Sequence, residues 1–108
     1  MARYLVQANY TQQGIAGLVS SPQDRSGVLV TLVESIGGKV HSIDYCFGEF
    51  DVVIVMEAPD DIAMAGLSMA VGASGAVTNI HTTVLIPTAD GFAAAQKAKE
   101  ITYRPPGQ

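Results

Sequence analysis

The sequence predicts an α+β domain with the order β-α-β-β-α-β and one extra C-terminal helix. Three observations lead to this order. Residues 40–59 form two apolar segments joined by a short turn, an apolar stripe at helical spacing precedes them, and a helix with an acidic start follows them. Two helical crossovers around a tight central hairpin are typical of a ferredoxin-like sandwich, in which a four-stranded antiparallel sheet carries both long helices on one face. The other face of the sheet is then left bare.

The central hairpin is the best-marked part of the chain. Residues 50–56 (FDVVIVM) are rich in β-branched side chains, which favours a strand covered on both sides. The two-residue loop Gly48–Glu49 predicts a type II′ turn, because glycine accepts the positive φ of its first position. His41 then lies on the side opposite Asp51. One extra residue in the turn reverses the faces of one strand, so the register stays open. In the favoured register, one side of the hairpin carries Ser42, Asp44, Cys46, Asp51, Val53 and Val55.

The elements before the hairpin follow in order. Residues 3–10 predict the first strand, with apolar side chains on one face and amides on the other. Residues 11–20 contain two glycines that weaken a helix, so we expect a loop with one helical turn. Ser21 is the expected cap of the first long helix, Pro22 suits its first position, and Gly37–Gly38 ends it. The apolar stripe of this helix consists of Val28, Leu29, Leu32, Val33 and Ile36.

The elements after the hairpin are marked by their boundaries. Residues 59–61 (PDD) start the second long helix, with carboxylates at its positive end. Residues 76–86 form the last strand, and a third helix over residues 92–100 is capped by Thr88 or Asp90. We expect Met64 and Met69 of the second helix to fill the core. Strict alternation along the last strand places on one face Val77, Asn79, His81, Thr83 and Leu85.

Composition limits the classes of protein that the chain can represent. The 108 residues predict one domain, with a core over about residues 3–100 and a tail over residues 101–108. Hydrophobic residues make up 48% of the chain and charged residues only 15%. So few charges leave apolar area on the surface of a monomer, which favours its burial in a homo-oligomer. The net charge of −4 with scattered Lys and Arg argues against nucleic acid. No apolar run reaches membrane-spanning length, and the single cysteine favours the reducing cytoplasm.

The bare face of the predicted sheet is where polar side chains converge. The first and last strands are neighbours in this fold, and the hairpin adds polar residues on the same side. His81 is the one candidate for catalysis, since imidazole transfers protons near neutral pH, although donation to a structural partner is the more common role. Asp51 is more commonly a group that fixes the turn. No metal-ligand spacing, phosphate-binding loop or dinucleotide motif occurs, so no cofactor is expected. The predicted ligand-binding residues are Gln7, Asn9, Tyr10, Asp51, Asn79, His81 and Thr83.

Several short motifs together resemble the GYD-domain family, and they extend over about residues 3–98. They are Asn9-Tyr10-Thr11, Gln13-Gly14-Ile15, Ser21-Pro22 with Arg25, Gly37-Gly38-Lys39-Val40, Phe47-Gly48-Glu49-Phe50-Asp51-Val52-Val53 and Glu57-Ala58-Pro59-Asp60-Asp61. Phe50 stands where the family's name-giving tyrosine normally lies, so that hydroxyl is absent here. The resemblance implies a bacterial or archaeal protein of the dimeric α+β barrel type. A similar Gly-x-Tyr-Asp hairpin occurs in the effector-binding domains of feast/famine regulators, in which subunits associate through sheets and bind small metabolites at the interfaces.

Three functions are compatible with these features. The first is a homo-oligomeric small-molecule-binding or sensor protein, with its site on the open sheet face at a subunit interface. The second is a cofactor-independent enzyme of the dimeric α+β barrel type, an oxygenase, isomerase or haem-handling protein that uses His81. The third is a purely structural assembly subunit. We place the binding protein first, because polar amides and hydroxyls line the face and no nucleophile–base pair is evident.

Overall fold

The computed structural model describes all 108 residues of the chain. Four strands and four helices make up the fold. In chain order the elements are β1 (Ala2–Tyr10), α1 (Gln12–Ser20), α2 (Ser26–Ser35), β2 (Lys39–Tyr45), β3 (Val52–Ala58), α3 (Asp61–Ala73), β4 (Val77–Leu85) and α4 (Thr88–Glu100). All the predicted strands and helices are present, α1 is an additional helix, and α4 starts earlier than predicted.

The four strands form one antiparallel sheet in the order β2-β3-β1-β4. Helices α2 and α3 pack on the same side of this sheet, and the opposite side, called the open face below, carries no helix. Each helix joins a pair of strands by a crossover, which gives the split β-α-β arrangement. The fold is therefore α+β and ferredoxin-like, as the sequence predicts.

The core lies between the sheet and the two long helices. Six buried residues form it, and the aromatic ring of Tyr4 lies at its centre with its hydroxyl donating to Asp61 Oδ1 at 2.6 Å. That hydrogen bond to a carboxylate is the main reason why the pKa of Tyr4 is raised to about 12. Met64 is buried as predicted, but the prediction for Met69 is wrong, because its side chain is 74% exposed. The core residues are Tyr4, Val33, Met56, Ala58, Met64 and Leu67.

The hairpin has the predicted register but a different turn. Tyr45 pairs with Val52 and Asp44 with Val53, so the side predicted for Asp44 and Val53 is correct. The chain does not close at Gly48–Glu49 with a type II′ turn, because Gly48 has no positive φ. The last closing bond runs instead from Cys46 N to Asp51 O at 2.9 Å, and a wider loop of four residues follows it. Cys46 is half-buried, and its Sγ donates to the Phe50 carbonyl oxygen at 3.0 Å.

Two irregularities in the sheet place residues of β2 and β4 on faces other than those predicted. The pairing of β2 with β3 shifts between Val40 and Ser42, and the extra residue brings His41 Nε2 to 2.7 Å from Glu57 Oε2. This hydrogen bond lowers the pKa of Glu57, and it places His41 beside a residue of the open face rather than opposite to it. The pairing of β1 with β4 shifts between Gln7 and Asn9 in the same way.

The second irregularity centres on Asn79. Its φ of 53° is the only positive value for a non-glycine residue in the chain, and asparagine tolerates this left-handed conformation better than most residues. The two residues before Asn79 lie on faces other than those that strict alternation predicts. Val77 pairs with Tyr10 on the helix side, and Thr78 pairs with Asn9 on the open face. The prediction that Val77 shares a face with His81 is therefore wrong.

The segment before α2 is more helical than predicted. Residues 12–20 form α1, whose cap is Thr11: its side-chain oxygen accepts from Gly14 N at 3.1 Å. Ser21 ends this helix instead of starting the next one, because its N–H bonds to Gly17 O. Helix α2 starts only at Ser26, with Arg25 at the cap position and no side-chain cap. Its end is as predicted, since Gly37 has a φ of 81°.

Substitutions of the two glycines of α1 are expected to have opposite effects. A Cβ at Gly14 would overlap the Ala76 carbonyl oxygen, whereas a Cβ at Gly17 meets nothing within 4 Å. We expect Gly14→Ala to lower the free energy of unfolding by about 1–3 kcal/mol, because the backbone must move. Gly17→Ala should leave it unchanged or raise it by up to about 1 kcal/mol through helix propensity. Urea denaturation of both variants measures this difference, and equal effects at the two positions would contradict the close packing of α1 on Ala76.

Helix α4 projects away from the body of the domain. It starts at Thr88, one turn earlier than predicted, after Pro87 at the cap position, and no side chain caps it. None of its residues is buried, and every residue from 86 onward is exposed. The chain accordingly extends over 60 × 33 × 23 Å. We call residues 87–108 the arm.

Candidate ligand site

The open face brings together four of the predicted polar residues in one hydrogen-bonded group. Asn9 Nδ2 donates to Glu49 O at 3.0 Å and to Asp51 Oδ2 at 3.3 Å. Asn79 Nδ2 donates to Asn9 Oδ1 at 2.9 Å, and His81 Nε2 lies 3.1 Å from Asn79 Oδ1. The polar groups of this cluster therefore largely satisfy one another. The cluster connects the hairpin turn to the irregular part of β4.

Asp51 fixes the end of β1 against the hairpin. Its Oδ2 accepts from Tyr10 N at 2.9 Å, and its own N–H donates to Ala8 O at 2.9 Å. A carboxylate placed directly after the turn thus closes the gap between two strands. The role is structural, as the sequence favours for Asp51, but the carboxylate joins β1 to the hairpin instead of bonding within the turn.

His81 lies on the exposed part of the same face. The Phe50 ring packs edge-on against the imidazole with 5.1 Å between the ring centroids. His81 pairs with Gln7 across β1 and β4, as expected for neighbouring strands, and Thr83 pairs with Leu5. The side chains of Gln7 and Thr83 make no hydrogen bonds with the cluster.

Tyr10 is separated from the other predicted site residues by the sheet itself. It follows Tyr4, Val6 and Ala8 on the helix side of β1, and its ring lies 6.2 Å from the Tyr45 ring. Burial, and after it the nearby Tyr45 hydroxyl, raises the pKa of Tyr10 to about 12. Tyr10 therefore keeps its proton at physiological pH and can donate a hydrogen bond.

An apolar cavity of about 340 Å³ lies on this helix side, and Tyr10 lines it. Strands β1, β3 and β4 form its floor, and helices α2 and α3 form its walls. Of its 20 lining residues 17 are hydrophobic, which defines an apolar space with few polar positions. The floor is formed chiefly by Val6, Ala8, Val52, Ile54, Met56 and Ile80.

The cavity exists because the two helices rest on different strands. Helix α2 packs mainly over β2 at one edge of the sheet, whereas α3 packs mainly over β4 and β3. The central strand β1 is thus only partly covered between them. Small side chains on the cavity wall of α3, such as Ser68 and Ala70, leave the space between the helices unfilled.

Arg25 is the only charged residue that lines the cavity. It is half-buried at the start of α2, and its guanidinium makes no hydrogen bond or ion pair within the chain. The positive charge lies near the Tyr10 hydroxyl, whose pKa it acts to lower. Arg25 also lines a smaller groove of about 220 Å³ that continues outward past Tyr45.

The sequence reasoning did not find this cavity or Arg25 as a site residue. The signal available in the sequence is the series of small side chains in α3, which fill little of the space above the sheet. The sequence analysis names Arg25 only with Ser21-Pro22, among the motifs that resemble the GYD-domain family, and gives it no role in a site. No group of three or more His, Cys, Asp and Glu side chains is arranged to hold a metal ion. The helices are also too short or too polar to cross a membrane.

Fold and cavity together define a ferredoxin-like α+β domain with an apolar site beneath its helices. The sequence matches the model of the GYD domain over residues 4–95. The chain therefore belongs to the GYD domain family. No curated protein and no solved structure gives a significant match to it.

Proposed function

We propose that the protein is a homo-oligomer that binds a small, mainly apolar molecule in the cavity between the sheet and helices α2 and α3. The cavity is the observation that carries this proposal. Ligand sites are typically concave and apolar with a few convergent polar groups, and their volumes run from about 300 to 1,000 Å³. The present cavity has this chemistry and lies at the small end of that range.

The open face is the second candidate place for a ligand. Its cluster of Asn9, Asp51, Asn79 and His81 is polar and exposed, but its hydrogen bonds are made within the chain. The same face also carries the half-buried apolar residues Leu5, Val53, Val55 and Leu85, which favours contact with another subunit. We therefore assign the open face to assembly and the cavity to the ligand.

The arm also supports a homo-oligomer. An isolated helix of 13 residues is marginal in water, so α4 needs a surface to pack on, and its own domain does not supply one. The arm carries Lys97, Lys99 and Arg104 against Asp90 and Glu100, a formal charge of +1. Subtracting that from the total of −4 leaves −5 on the rest of the chain. The rest of a second copy thus carries a net charge opposite in sign to that of the arm.

The alternative function is a cofactor-independent enzyme that uses His81. The ring is exposed, and only its Nε2 has a partner, so Nδ1 is free to contact a substrate. Addition of haem or flavin, followed by absorbance, tests this alternative, since an axial or stacking contact shifts the spectrum. We also propose the bacterial cytoplasm as the location, which the single half-buried cysteine favours.

Binding of a neutral apolar dye tests the proposed ligand site. Phenylnaphthylamine fluorescence should increase when the dye enters the cavity. Val6→Phe adds volume to the cavity floor, so we expect it to weaken dye binding at least about tenfold. Val19→Phe is the matched control, because Val19 on α1 is 74% exposed and does not line the cavity.

The control should bind the dye as the wild type does, with both variants folded by circular dichroism. Equal loss in the two variants, or no dye binding by the wild type, would refute the cavity as the ligand site.

A further inference from the structure

We infer that the ligand carries a single anionic group, such as a carboxylate, which binds Arg25 at the mouth of the cavity while its apolar part enters between the helices. This inference rests on the proposed function and specifies its ligand class. It begins from the charge of the cavity, because Arg25 is the only charged residue in an otherwise apolar lining.

The state of Arg25 is the second step. A half-buried arginine gains from a carboxylate or carbonyl partner, because partial desolvation of an unpaired charge is costly. Arg25 has none within the chain, although Asp24 is its neighbour in sequence and Asp44 lines the adjoining groove. Asp24 Oδ1 accepts instead from Ser26 N at 2.9 Å. The guanidinium is therefore free to bind an external acid, and its fork suits a carboxylate.

Tyr10 adds a neutral donor beside the charge. Tyr10 and Arg25 line the same cavity, and the Tyr10 ring packs beside that of Tyr45. Two donors of different kinds next to an apolar space fit one end of an amphipathic acid. The opposite end of such a molecule needs only the apolar contacts of β1, β3 and α3.

The nearby carboxylates also define the competing ligand. Asp24 and Asp44 border the outer groove and would attract an ammonium group instead. A matched series of octanoate, octanol and octylamine separates the possibilities, because the three probes differ mainly in the head group. Competition against phenylnaphthylamine gives the affinity of each probe. We expect octanoate to bind at least about tenfold more tightly than octanol and octylamine.

Variants of Arg25 test the named contact. Arg25→Gln removes the charge, so octanoate should bind no better than octanol, while octanol affinity stays at the wild-type value. Arg25→Lys should retain part of the preference for the acid. Arg3→Gln is the control with the same chemical change, because Arg3 is exposed and pairs with Glu57 away from the cavity.

The outcomes separate the inference from the proposed function. Equal affinity of the wild type for octanoate and octanol, or a preference for octylamine, overturns the anionic ligand and leaves the apolar site in place. Failure of all three probes to displace bound dye also overturns the inference, and failure of the dye itself to bind refutes the proposed function. In the wild type, added salt should weaken octanoate binding and not octanol binding, and this measurement needs no variant.

Discussion

Deletion of the arm, residues 87–108, is expected to reduce the oligomer to a smaller species or to monomers while leaving the sheet and α1–α3 folded. The arm has no buried residue, and Phe92 and Tyr103 are 66% and 75% exposed, so the domain loses no internal packing when the arm is removed. A partner subunit would lose the apolar and charged contacts that the arm supplies. Sedimentation equilibrium of the full and shortened chains measures the change.

A charge-reversed arm gives the matched test with the full chain. Lys97→Glu combined with Lys99→Glu should weaken association, because the arm then has a net charge of the same sign as the rest of the other copy. Asp90→Lys combined with Glu100→Lys changes the charge of the arm by the same amount in the opposite direction, and we expect association to be kept or strengthened. An unchanged number of subunits in the particle after deletion of the arm contradicts its role in assembly. A full chain that is a monomer at every concentration contradicts the homo-oligomer itself.

Met56→Ala is expected to lower the free energy of unfolding by about 2–5 kcal/mol. Met56 is 1% exposed at the centre of the core, so truncation leaves a void that the surrounding side chains fill only in part. Such a loss is a large fraction of the total stability of a small domain, which is about 5–15 kcal/mol. The measurement is urea denaturation at a fixed protein concentration, because the proposed association would also contribute to stability.

Met69→Ala is the control for this substitution. The side chain of Met69 is 74% exposed on α3, and we expect a change within about 0.5 kcal/mol. Comparable losses at Met56 and Met69 would show that α3 is covered on its outer side in the assembled protein, or that the core lies elsewhere.

The sequence predicts the order of elements well because strong local patterns mark them. The β-branched run in β3 and the acidic start of α3 are such patterns. The favoured hairpin register is also the observed one, although the type II′ turn from which it was argued is not formed. The irregularities at His41 and Asn79 could not be predicted, because one extra residue changes the face of a strand without changing its composition. Helix α1 was missed for a tertiary reason: Gly14 lowers helix propensity, but it also permits the close approach to Ala76.

The candidate site is less predictable than the fold. Polar side chains on the open face are visible in the alternation of β1 and β4, and the structure does bring Asn9, Asn79 and His81 together. The cavity depends instead on how far apart α2 and α3 lie, and no local pattern encodes that distance. Tyr10 illustrates the difficulty, because its position in sequence is correct for a site residue but its side chain lies on the opposite side of the sheet from the cluster.

Helices α2 and α3 are held mainly by the strands beneath them rather than by each other. A molecule bound in the cavity as we propose would therefore enter and leave by a small sideways displacement of one helix, with the hydrogen bonds of the sheet intact. Its exchange would accordingly be rapid and would need no separate hinged segment.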